Sequence, residues 1–465
     1  MKLMPFNFEP LDEDSYFISN IAGFSSFVNF KQLESIIDFG QTFNPELDRL
    51  LENKLFISAP SSVNTAIASL ASALGKRVTT GLEFKPIFMI VPTLRCDHSC
   101  KYCQVSRASI SASGFDLDKK LIPKIIDTIA LLSEPPYKLE LQGGEPLLRF
   151  DLVELIYQLA EEKLGGDSIE MVIATSLSLV SDEIIDWARS RNVVFSVSLD
   201  GAQLVHDKNR IHPSGNAYQL AVNGIKKIQS QLGMHRISTV TTVTDELIKN
   251  PLSLLDTHKA LGLFDLFVRP ISPYGFATAR SSVNYSMQEY MQFYTQLWDG
   301  IKHYRDQGLP FVEHSAAIHI KKLFVPSFSS YADLKSPSGV VLNCVLFNYD
   351  GRVYGSDESR MLQKVNPQLD FSAGTVGEIS FADSEYYKNL TSASFNFLHP
   401  GCENCAFLPY CGSDPCQNIS MQGEPIGDKS LSTFCEYHKS MFKFLVNKYN
   451  TSADDKSLIE DWIHA

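Results

Sequence analysis

The sequence predicts an α/β fold, namely an open, partial (β/α)6 TIM-like barrel with a small N-terminal α+β domain and a loop-rich C-terminal domain. Three observations predict it: apolar, β-branched runs alternate with amphipathic stretches in the middle of the chain, the first 80 residues lack this alternation, and cysteines crowd the last third. Alternating strand and helix patterns are typical of a parallel sheet covered by helices. We expect the active site of such a barrel at the carboxyl ends of its strands.

The middle of the chain, residues 81–325, carries the barrel pattern. Six strands are predicted, at 87–91, 138–142, 170–174, 193–199, 237–243 and 263–268. Amphipathic helices are predicted between them, at 121–132, 152–163, 182–190, 218–231 and 252–261, with a further helix at 287–305. Six βα units are two short of a closed barrel, so we expect an open one.

The two ends of the chain are predicted to form separate domains. Residues 1–80 contain a hairpin pattern at 16–30, followed by helices near 31–37 and 45–51. A stretch rich in Ser and Pro at 326–338 leads into the cysteine-bearing C-terminal domain, which we place at 339–450.

The composition excludes several classes of protein. Hydrophobic residues are 44% and charged residues 20% of the 465 residues, ordinary proportions for a folded globular chain. The formal net charge of -12 has the wrong sign for a nucleic-acid or anionic-membrane surface. No apolar run approaches the ~18 residues of a membrane span, and the N-terminus has no apolar signal core. We therefore expect a cytoplasmic protein without nucleic-acid or membrane partners.

The first cysteine group directly follows the first barrel strand. Cys96, Cys100 and Cys103 have the spacing C-x3-C-x2-C. Three thiolates on one loop can hold three irons of a 4Fe-4S cluster and leave the fourth iron open to a substrate or cofactor. From spacing alone, a zinc site with His98 as the fourth ligand is the alternative.

This loop and the motifs after later strands resemble the radical S-adenosylmethionine (SAM) superfamily. The motifs are Tyr102 before the last cysteine, Gly143-Gly144-Glu145-Pro146 after strand two, Thr175-Ser176 after strand three, Ser198-Leu-Asp200-Gly201 after strand four, and Arg210 further on. The resemblance implies a SAM-binding 4Fe-4S cluster held by Cys96, Cys100 and Cys103. It also implies that the SAM amine is bound by Gly143, Gly144, Glu145 and Pro146, and that the ribose and carboxylate lie near Ser176, Ser198, Asp200 and Arg210. The Asn and Gly of the family's Thr-Asn-Gly segment are absent here.

The second cysteine group resembles the SPASM extension of radical enzymes that modify peptides, which usually carries two auxiliary 4Fe-4S clusters. The resemblance implies one complete auxiliary cluster, ligated by Cys402, Cys405, Cys411 and Cys435. Cys344 and Cys416 would belong to the other, but Ser356 stands where a further cysteine is expected. At least one auxiliary cluster is expected, and the second stays open, with Asp357 as a candidate oxygen ligand. A zinc ribbon of the same four cysteines is the alternative that spacing allows.

Strings at 409–415 and 434–439 are most similar to the His-Xaa-Ser system maturases, and darobactin-type cross-linking synthases are close in kind. The resemblance implies a radical SAM oxidoreductase that takes a side-chain hydrogen from a ribosomally made precursor peptide through a 5'-deoxyadenosyl radical. The product would be a carbon-carbon or ether cross-link. The implied partners are the precursor peptide and a low-potential electron donor.

Alternatives remain at three points. A formylglycine-generating sulfatase maturase is the second enzyme hypothesis, and a non-enzymatic zinc-binding protein is the hypothesis of another class. The N-terminal domain is either a leader-peptide recognition element, whose strand edge captures an extended peptide, or a plain capping domain. No catalytic side chain is assigned, although Asp265, Arg269 and Tyr274 near strand six are candidate pocket residues.

Overall fold

The computed structural model describes residues 1–276, 285–326, 328, 334–381 and 383–464. Its strands in chain order are β1 Lys2–Leu3, β2 Asn7–Pro10, β3 Ser15–Ser19, β4 Ser25–Asn29, β5 Ile57–Ser58, β6 Ile87–Thr93, β7 Arg95–Cys96, β8 Ser99–Cys100, β9 Ala108–Ser109, β10 Tyr137–Gly143, β11 Ile169–Thr175, β12 Val193–Ser198, β13 Arg210–Ile211, β14 Ile237–Thr242, β15 Asp265–Leu266, β16 Val268–Arg269, β17 Val312–Glu313, β18 Cys344–Phe347, β19 Val353–Tyr354, β20 Gly374–Thr375 and β21 Glu378–Ile379.

The helices are α1 Phe30–Phe39, α2 Pro45–Asn53, α3 Val63–Leu82, α4 Ile122–Leu132, α5 Phe150–Leu164, α6 Asp182–Arg189, α7 Gln203–Asn209, α8 Ala217–Leu232, α9 Asp245–Ile248, α10 Leu252–Ala260, α11 Met287–Asp306, α12 His314–Phe324, α13 Asp357–Val365, α14 Glu385–Ala393, α15 Pro415–Gln422, α16 Thr433–Thr451 and α17 Ala453–Ile463. Among the described residues, none of them combines the length and apolar character that crossing a bilayer requires.

The chain divides into two compact units, each built from separate segments. The terminal unit comprises Met1–Glu83, Ala316–Gly339 and Ser392–Ala465, and the barrel unit comprises Phe84–Ser315 and Val340–Thr391. The predicted domains, at 1–80, 81–325 and 339–450, concern parts of the chain that fold independently, and their bounds stay a prediction.

The barrel unit is built on a parallel sheet that, within the described residues, has eight strands in the order β16-β14-β12-β11-β10-β6-β18-β19. Neighbouring strands from β16 to β18 pair in parallel, and β19 pairs antiparallel with β18. Crossover helices connect the parallel strands, as parallel pairing requires. The predicted α/β class with an open parallel barrel is therefore confirmed.

Two features of this sheet differ from the prediction. The sixth predicted strand, 263–268, is divided into β15 and β16, of which β16 pairs with β14 and β15 with β17. A further parallel strand, β18, lies beside β6 at the other end of the sheet, with Cys344 opposite Ile87. Its four residues are all buried. The sequence did not reveal it because β18 follows β6 by about 250 residues and lies in a segment predicted to be loop-rich.

Apolar side chains between the sheet and its helices form the main core of the barrel unit. Ile90, Leu141 and Ile173, on three adjacent strands, are fully buried in it together with Ile126 and Ile156 of the covering helices. Burying one such aliphatic side chain contributes roughly 1.5–3 kcal/mol. The carboxyl ends of the strands are thereby fixed relative to one another.

The terminal unit begins with the predicted hairpin, which is part of a three-stranded antiparallel sheet in the order β2-β3-β4. Helices α1 and α2 follow at the predicted positions, and α3 adds a 20-residue helix that was not predicted. One face of the sheet buries Ile18 and Val28 against α1 and α2. On the other face, the ring of Phe17 stacks on Phe407 at 5.5 Å. The end of the chain is more helical than predicted, since α15, α16 and α17 lie there.

The buried His258 predicts a pH-dependent stability. Burial lowers its pKa to about 4, whereas an unfolded histidine titrates near 6.5. As the pH falls below about 6.5, His258 binds a proton in the unfolded state but not in the folded state. The free energy of unfolding therefore decreases between about pH 6.5 and pH 4, by up to about 3 kcal/mol. Urea unfolding between pH 7 and 4 should show a flatter pH dependence for His258→Gln. The exposed His235→Gln is the control, and equal slopes for His258→Gln and wild type would contradict the expectation.

Candidate functional site

The first cysteine group leaves the sheet at the carboxyl end of β6. Cys96 ends β7, Cys100 ends β8, and the amide of Cys103 donates to the carbonyl of Cys100 over 3.3 Å. Burial, Glu145 and the Cys100 thiol raise the pKa of Cys96. Burial raises the pKa of Cys100 to about 12, and the Cys103 thiol acts in the same direction. The Cys100 thiol therefore interacts with each of the other two thiols, and all three must lose their protons to bind metal.

Arg210 connects this loop to the end of β12. Strand β13, which begins with Arg210, pairs antiparallel with β8 and places Arg210 opposite Cys100. The guanidinium donates from Nε to Asp200 Oδ2 at 3.1 Å, lies 5.3 Å from the ring centre of Tyr102, and approaches the Cys100 sulfur to 3.9 Å. The hydroxyl of Tyr102 also donates to Asp200. A buried charge pair thus lies beside one of the predicted cluster ligands.

The turn at Gly143 and Gly144 lets the end of β10 touch the cysteine loop. The amide of Gly144 donates to the Thr93 carbonyl and the amide of Glu145 to the Arg95 carbonyl, both at 2.9 Å. A Cβ on Gly144 would lie 2.2 Å from the Arg95 carbonyl oxygen. Gly143 has a φ of +125°, a conformation that favours glycine. Both positions therefore require glycine.

Glu145 follows this turn and is buried, with 1% of its surface exposed. Its Oε1 accepts hydrogen bonds from the Leu147 amide at 3.1 Å and the Thr175 hydroxyl at 2.7 Å. Its Oε2 accepts from the amide and the hydroxyl of Ser176 at 2.9 and 2.7 Å. Burial, with the nearby Asp97, raises the pKa of Glu145, and these hydrogen bonds oppose the rise. The carboxylate is thus held in one orientation.

The remaining predicted residues lie at the same edge of the sheet. Pro146 is buried and begins the short 3-10 turn Pro146–Arg149, and Ser198 ends β12 with partial exposure. Ser176 was predicted as a ribose contact because it follows β11. Its hydroxyl instead donates to Glu145, which the sequence did not indicate.

Asp97 and His212 lie near Cys96 but were not assigned to this site from the sequence, and His98 was predicted here only as a ligand of the alternative zinc site. Asp97 bonds the Nδ1 of His98 at 2.8 Å, and its other oxygen lies 3.6 Å from Nε2 of His212. Ligand atoms of Cys96, Asp97 and His98 lie within 4.8 Å of one another, close enough to share a metal ion. His98 alone had a sequence signal, as the possible zinc ligand. His212 had none, because its contact with Asp97 spans more than 100 residues.

The four cysteines assigned to one auxiliary cluster lie together in the terminal unit. Burial raises the pKa of Cys402 to about 11, with Cys435 and Cys405 adding to the effect. Burial also raises the pKa of Cys411, which the other three thiols raise further. Nearby lysines lower these pKa values, namely Lys322, Lys429 and Lys439. Four grouped thiols with cations beside them fit a 4Fe-4S cluster. Three ligand atoms within 4.8 Å of one another, as a single ion such as zinc requires, are not found among these four described cysteines.

The residues expected at the second auxiliary cluster lie on three separate elements. Cys344 is buried in β18 of the barrel unit, whereas Cys416 is buried in α15 of the terminal unit. Ser356 is the N-cap of α13, and its hydroxyl accepts from the Ser359 amide at 3.1 Å. Asp357 forms a buried ion pair with Arg360 at 2.7 Å. Ser356 and Asp357, the two oxygen groups at the place of the missing thiolate, thus have partners within their own helix.

The three candidate pocket residues near strand six have different surroundings. Asp265 begins β15, at the amino end of that strand, and its carboxylate bonds His314 at 2.7 Å. Arg269 ends β16, at the carboxyl end, where ligands of parallel sheets bind. Tyr274 is buried. It precedes Gly275, where a Cβ would lie 2.8 Å from the Cys103 carbonyl oxygen, and the Phe276 amide donates to that oxygen at 2.9 Å. Arg269 and Tyr274 therefore lie toward the cysteine loop, whereas Asp265 lies at the opposite end of its strand.

Comparison with known proteins identifies the domain that carries this site. Residues 90–251 match the Radical SAM superfamily, so the chain contains a radical SAM domain, whose cofactors are SAM and a 4Fe-4S cluster. The serine-type anaerobic sulfatase-maturating enzyme of Bacteroides thetaiotaomicron is 25% identical over 206 residues, which are 42% of this chain and 49% of that enzyme. The chain therefore spans about half the length of this curated relative.

Solved structures share the fold over most of the chain. Native anSMEcpe with bound AdoMet has a TM-score of 0.66 at 15% identity and covers 82% of this chain and 100% of its own. SuiB of Streptococcus suis has a TM-score of 0.54 at 14% identity and covers 94% of this chain and 100% of its own. Both have also been solved with peptides, Cp18Cys for anSMEcpe and the precursor peptide SuiA for SuiB. At these identities the likeness establishes the fold.

Replacing Gly144 with Ala tests the contact between β10 and the cysteine loop. The new Cβ would meet the carbonyl oxygens of Arg95 and Leu94 at 2.2 and 2.5 Å, so the loop must move. We expect the anaerobically reconstituted variant to bind about four irons fewer per chain than wild type, the content of one 4Fe-4S cluster. Gly75→Ala is the matched control, because no atom lies within 4 Å of a Cβ there. Iron content equal to wild type in Gly144→Ala would refute the stated role of this contact.

Proposed function

We propose that this radical SAM enzyme is a peptide maturase that modifies a side chain of a ribosomally made precursor peptide and forms a carbon-carbon or ether cross-link. The observation that carries the SAM-binding part is the convergence of Glu145, Asp200 and Arg210 on the C-x3-C-x2-C loop. The peptide part is supported by two solved neighbours that were determined with bound peptides. A low-potential electron donor and a cytoplasmic location belong to the same proposal.

The residues around the cysteine loop fit the cofactors of the superfamily. Gly143 and Gly144 keep side chains out of the space where the two loops meet, and the Glu145 carboxylate is assigned to the amino group of SAM. Arg210 offers a cation to a carboxylate, and Asp200 orients it. When bound, the cluster and SAM would supply the radical chemistry, which no side chain can provide. The chain's own contribution is orientation of the cofactor and exclusion of water.

We assign Cys402, Cys405, Cys411 and Cys435 to one auxiliary 4Fe-4S cluster. Such a cluster is a suitable acceptor for the electron that remains when a substrate bond is oxidised. The three lysines near these thiols favour an anionic group there, because opposite charges in a partly buried site attract strongly.

Residues 1–80 are proposed to recognise the leader of the precursor. Three antiparallel strands are followed by helices, and the strand order leaves β2 and β4 at the edges of the sheet. An extended peptide can add to such an edge through backbone hydrogen bonds. β2 lies against the end of the chain, because Asn7 bonds the carbonyls of Glu403 and Cys405 and Glu9 pairs with Lys439 and Lys443. The contact on β4 is local, since Lys54 of the same segment donates to the Ser25 carbonyl at 2.6 Å. We therefore favour β4.

Sulfatase maturation is a second candidate, favoured by the similarity to the Bacteroides enzyme and to a cysteine-type sulfatase-maturating enzyme of Clostridium novyi, which is 22% identical over 373 residues. Mass spectrometry of the precursor peptide after reaction separates the two. A cross-link removes two hydrogens and joins two residues in the fragment ions, whereas formylglycine appears at a single Ser or Cys. Neither change in a peptide treated with fully loaded enzyme would contradict both functions.

The iron content of cysteine variants tests the cluster assignment. The variant with Cys96, Cys100 and Cys103 all changed to Ala should retain about four irons per chain, one 4Fe-4S cluster. Adding Cys344→Ala should leave this number unchanged, because Ser356 and Asp357 are engaged elsewhere and two thiolates do not hold a stable cluster. A clear further loss of iron would establish a second auxiliary cluster. Zinc in a colourless protein would instead support the non-enzymatic alternative.

Hydrogen exchange tests the leader site on the full-length chain. Deleting residues 1–80 is unsuitable, because Phe17 stacks on Phe407 and the rest of the terminal unit would lose its packing. We expect a synthetic leader of the proposed precursor peptide to slow amide exchange in Ser25–Asn29. A scrambled leader is the control. Leader binding without slower amide exchange in β4 would rule out the β4 edge as the binding site. Absence of leader binding would mean that residues 1–80 are a capping domain.

A further inference from the structure

Ser176 and Leu177 follow β11 where the family's Thr-Asn-Gly segment has Asn and Gly, and Ser178 is the next residue. The hydroxyl of Ser176 donates to Glu145 at 2.7 Å, and the hydroxyl of Ser178 donates to Asp97 at 2.5 Å. The two hydroxyl oxygens are 2.9 Å apart. A continuous chain of side chains therefore links two buried carboxylates, one of which neighbours Cys96.

The carboxylate of Glu145 is already fully hydrogen-bonded by the protein. A carboxylate offers about four acceptor positions, and Leu147, Thr175 and Ser176 together donate four hydrogen bonds. An ammonium group that is to bind Glu145 needs one of these positions. One protein donor must therefore release the carboxylate.

The Ser176 hydroxyl is the donor that can release Glu145 and still donate a hydrogen bond to another acceptor. The Leu147 and Ser176 amides belong to the backbone, and the Thr175 hydroxyl is fixed because it also accepts from the Leu177 amide at 3.0 Å. The Ser176 hydroxyl has a second acceptor in Ser178, whose own proton is directed to Asp97. Rotating one C–O bond moves the hydrogen bond from Glu145 to Ser178, and no buried polar group is left unpaired.

We propose that Ser176 and Ser178 form a hydroxyl switch that releases one acceptor position of Glu145 to the amino group of SAM. This inference rests on the proposed function, because it takes Glu145 as the residue that receives the amine. Ser178 is a positioning residue, which acts on the ligand through Ser176 and Glu145.

Binding of two ligands to the anaerobically reconstituted enzyme tests the switch. In Ser178→Ala the Ser176 hydroxyl would lose its second acceptor, so SAM should bind about tenfold more weakly, the effect of one hydrogen bond to a charged group. 5'-Methylthioadenosine keeps the adenosine part but lacks the methionyl amino and carboxylate groups, so its Kd should stay that of wild type. Ser178→Thr keeps the hydroxyl and should restore SAM binding. Ser190→Ala, at an exposed serine, is the control, and iron content should be equal in all variants.

Other binding results would contradict the hydroxyl switch or the proposed function. Equal weakening for both ligands would overturn the switch in favour of a ribose contact or a structural role, and unchanged SAM affinity in Ser178→Ala would also overturn it. If Ser178→Ala loses iron, SAM binding is compared between Ser178→Thr and Ser178→Val instead. These two side chains have nearly the same shape and differ in the hydroxyl. Failure of wild type to bind SAM at all would contradict the proposed function itself.

Discussion

The close contact between Gly144 and the carbonyl groups of Leu94 and Arg95 is the constraint on which the site depends. A side chain at this position would occupy the space of those carbonyl oxygens. Because the contact forms, the loop after β6 and the turn after β10 share backbone hydrogen bonds at their carboxyl ends. The cysteines and Glu145 are thereby held in place by strands of a rigid sheet, and precise placement is what a cofactor site needs.

The same edge of the sheet concentrates buried charge. Arg210, Asp200 and Glu145 are each removed from water, which is unfavourable unless the groups are paired or hydrogen-bonded. Asp200 and Arg210 compensate each other, and Glu145 is compensated by four donors. A site of this kind has its charged groups oriented before a ligand arrives. At Glu145, the rearrangement proposed on ligand binding is limited to the rotation of one hydroxyl.

The sequence was sufficient for features that depend on local pattern. The strands β6, β10, β11 and β12 have clear apolar runs, and the glycines of the Gly143-Gly144 turn stand out because backbone approach needs them. The sequence did not reveal features that depend on contacts between residues far apart in the chain, and it could not separate alternatives of similar chemistry. β18 is four residues long and pairs with a strand about 250 residues earlier, and the helix α3 has a weak apolar pattern. Ser176 could be placed after β11, but only coordinates could show that its hydroxyl bonds Glu145.

Cleavage of SAM by the reduced full-length chain tests the central claim most directly. The chain is reconstituted with iron and sulfide without oxygen, reduced with dithionite and mixed with SAM, and 5'-deoxyadenosine is measured by chromatography. The account predicts 5'-deoxyadenosine from wild type and none above background from Cys100→Ala, which lacks one of the three thiolates. Formation of 5'-deoxyadenosine at the wild-type rate by Cys100→Ala, or its absence with a fully iron-loaded wild type, would contradict the account.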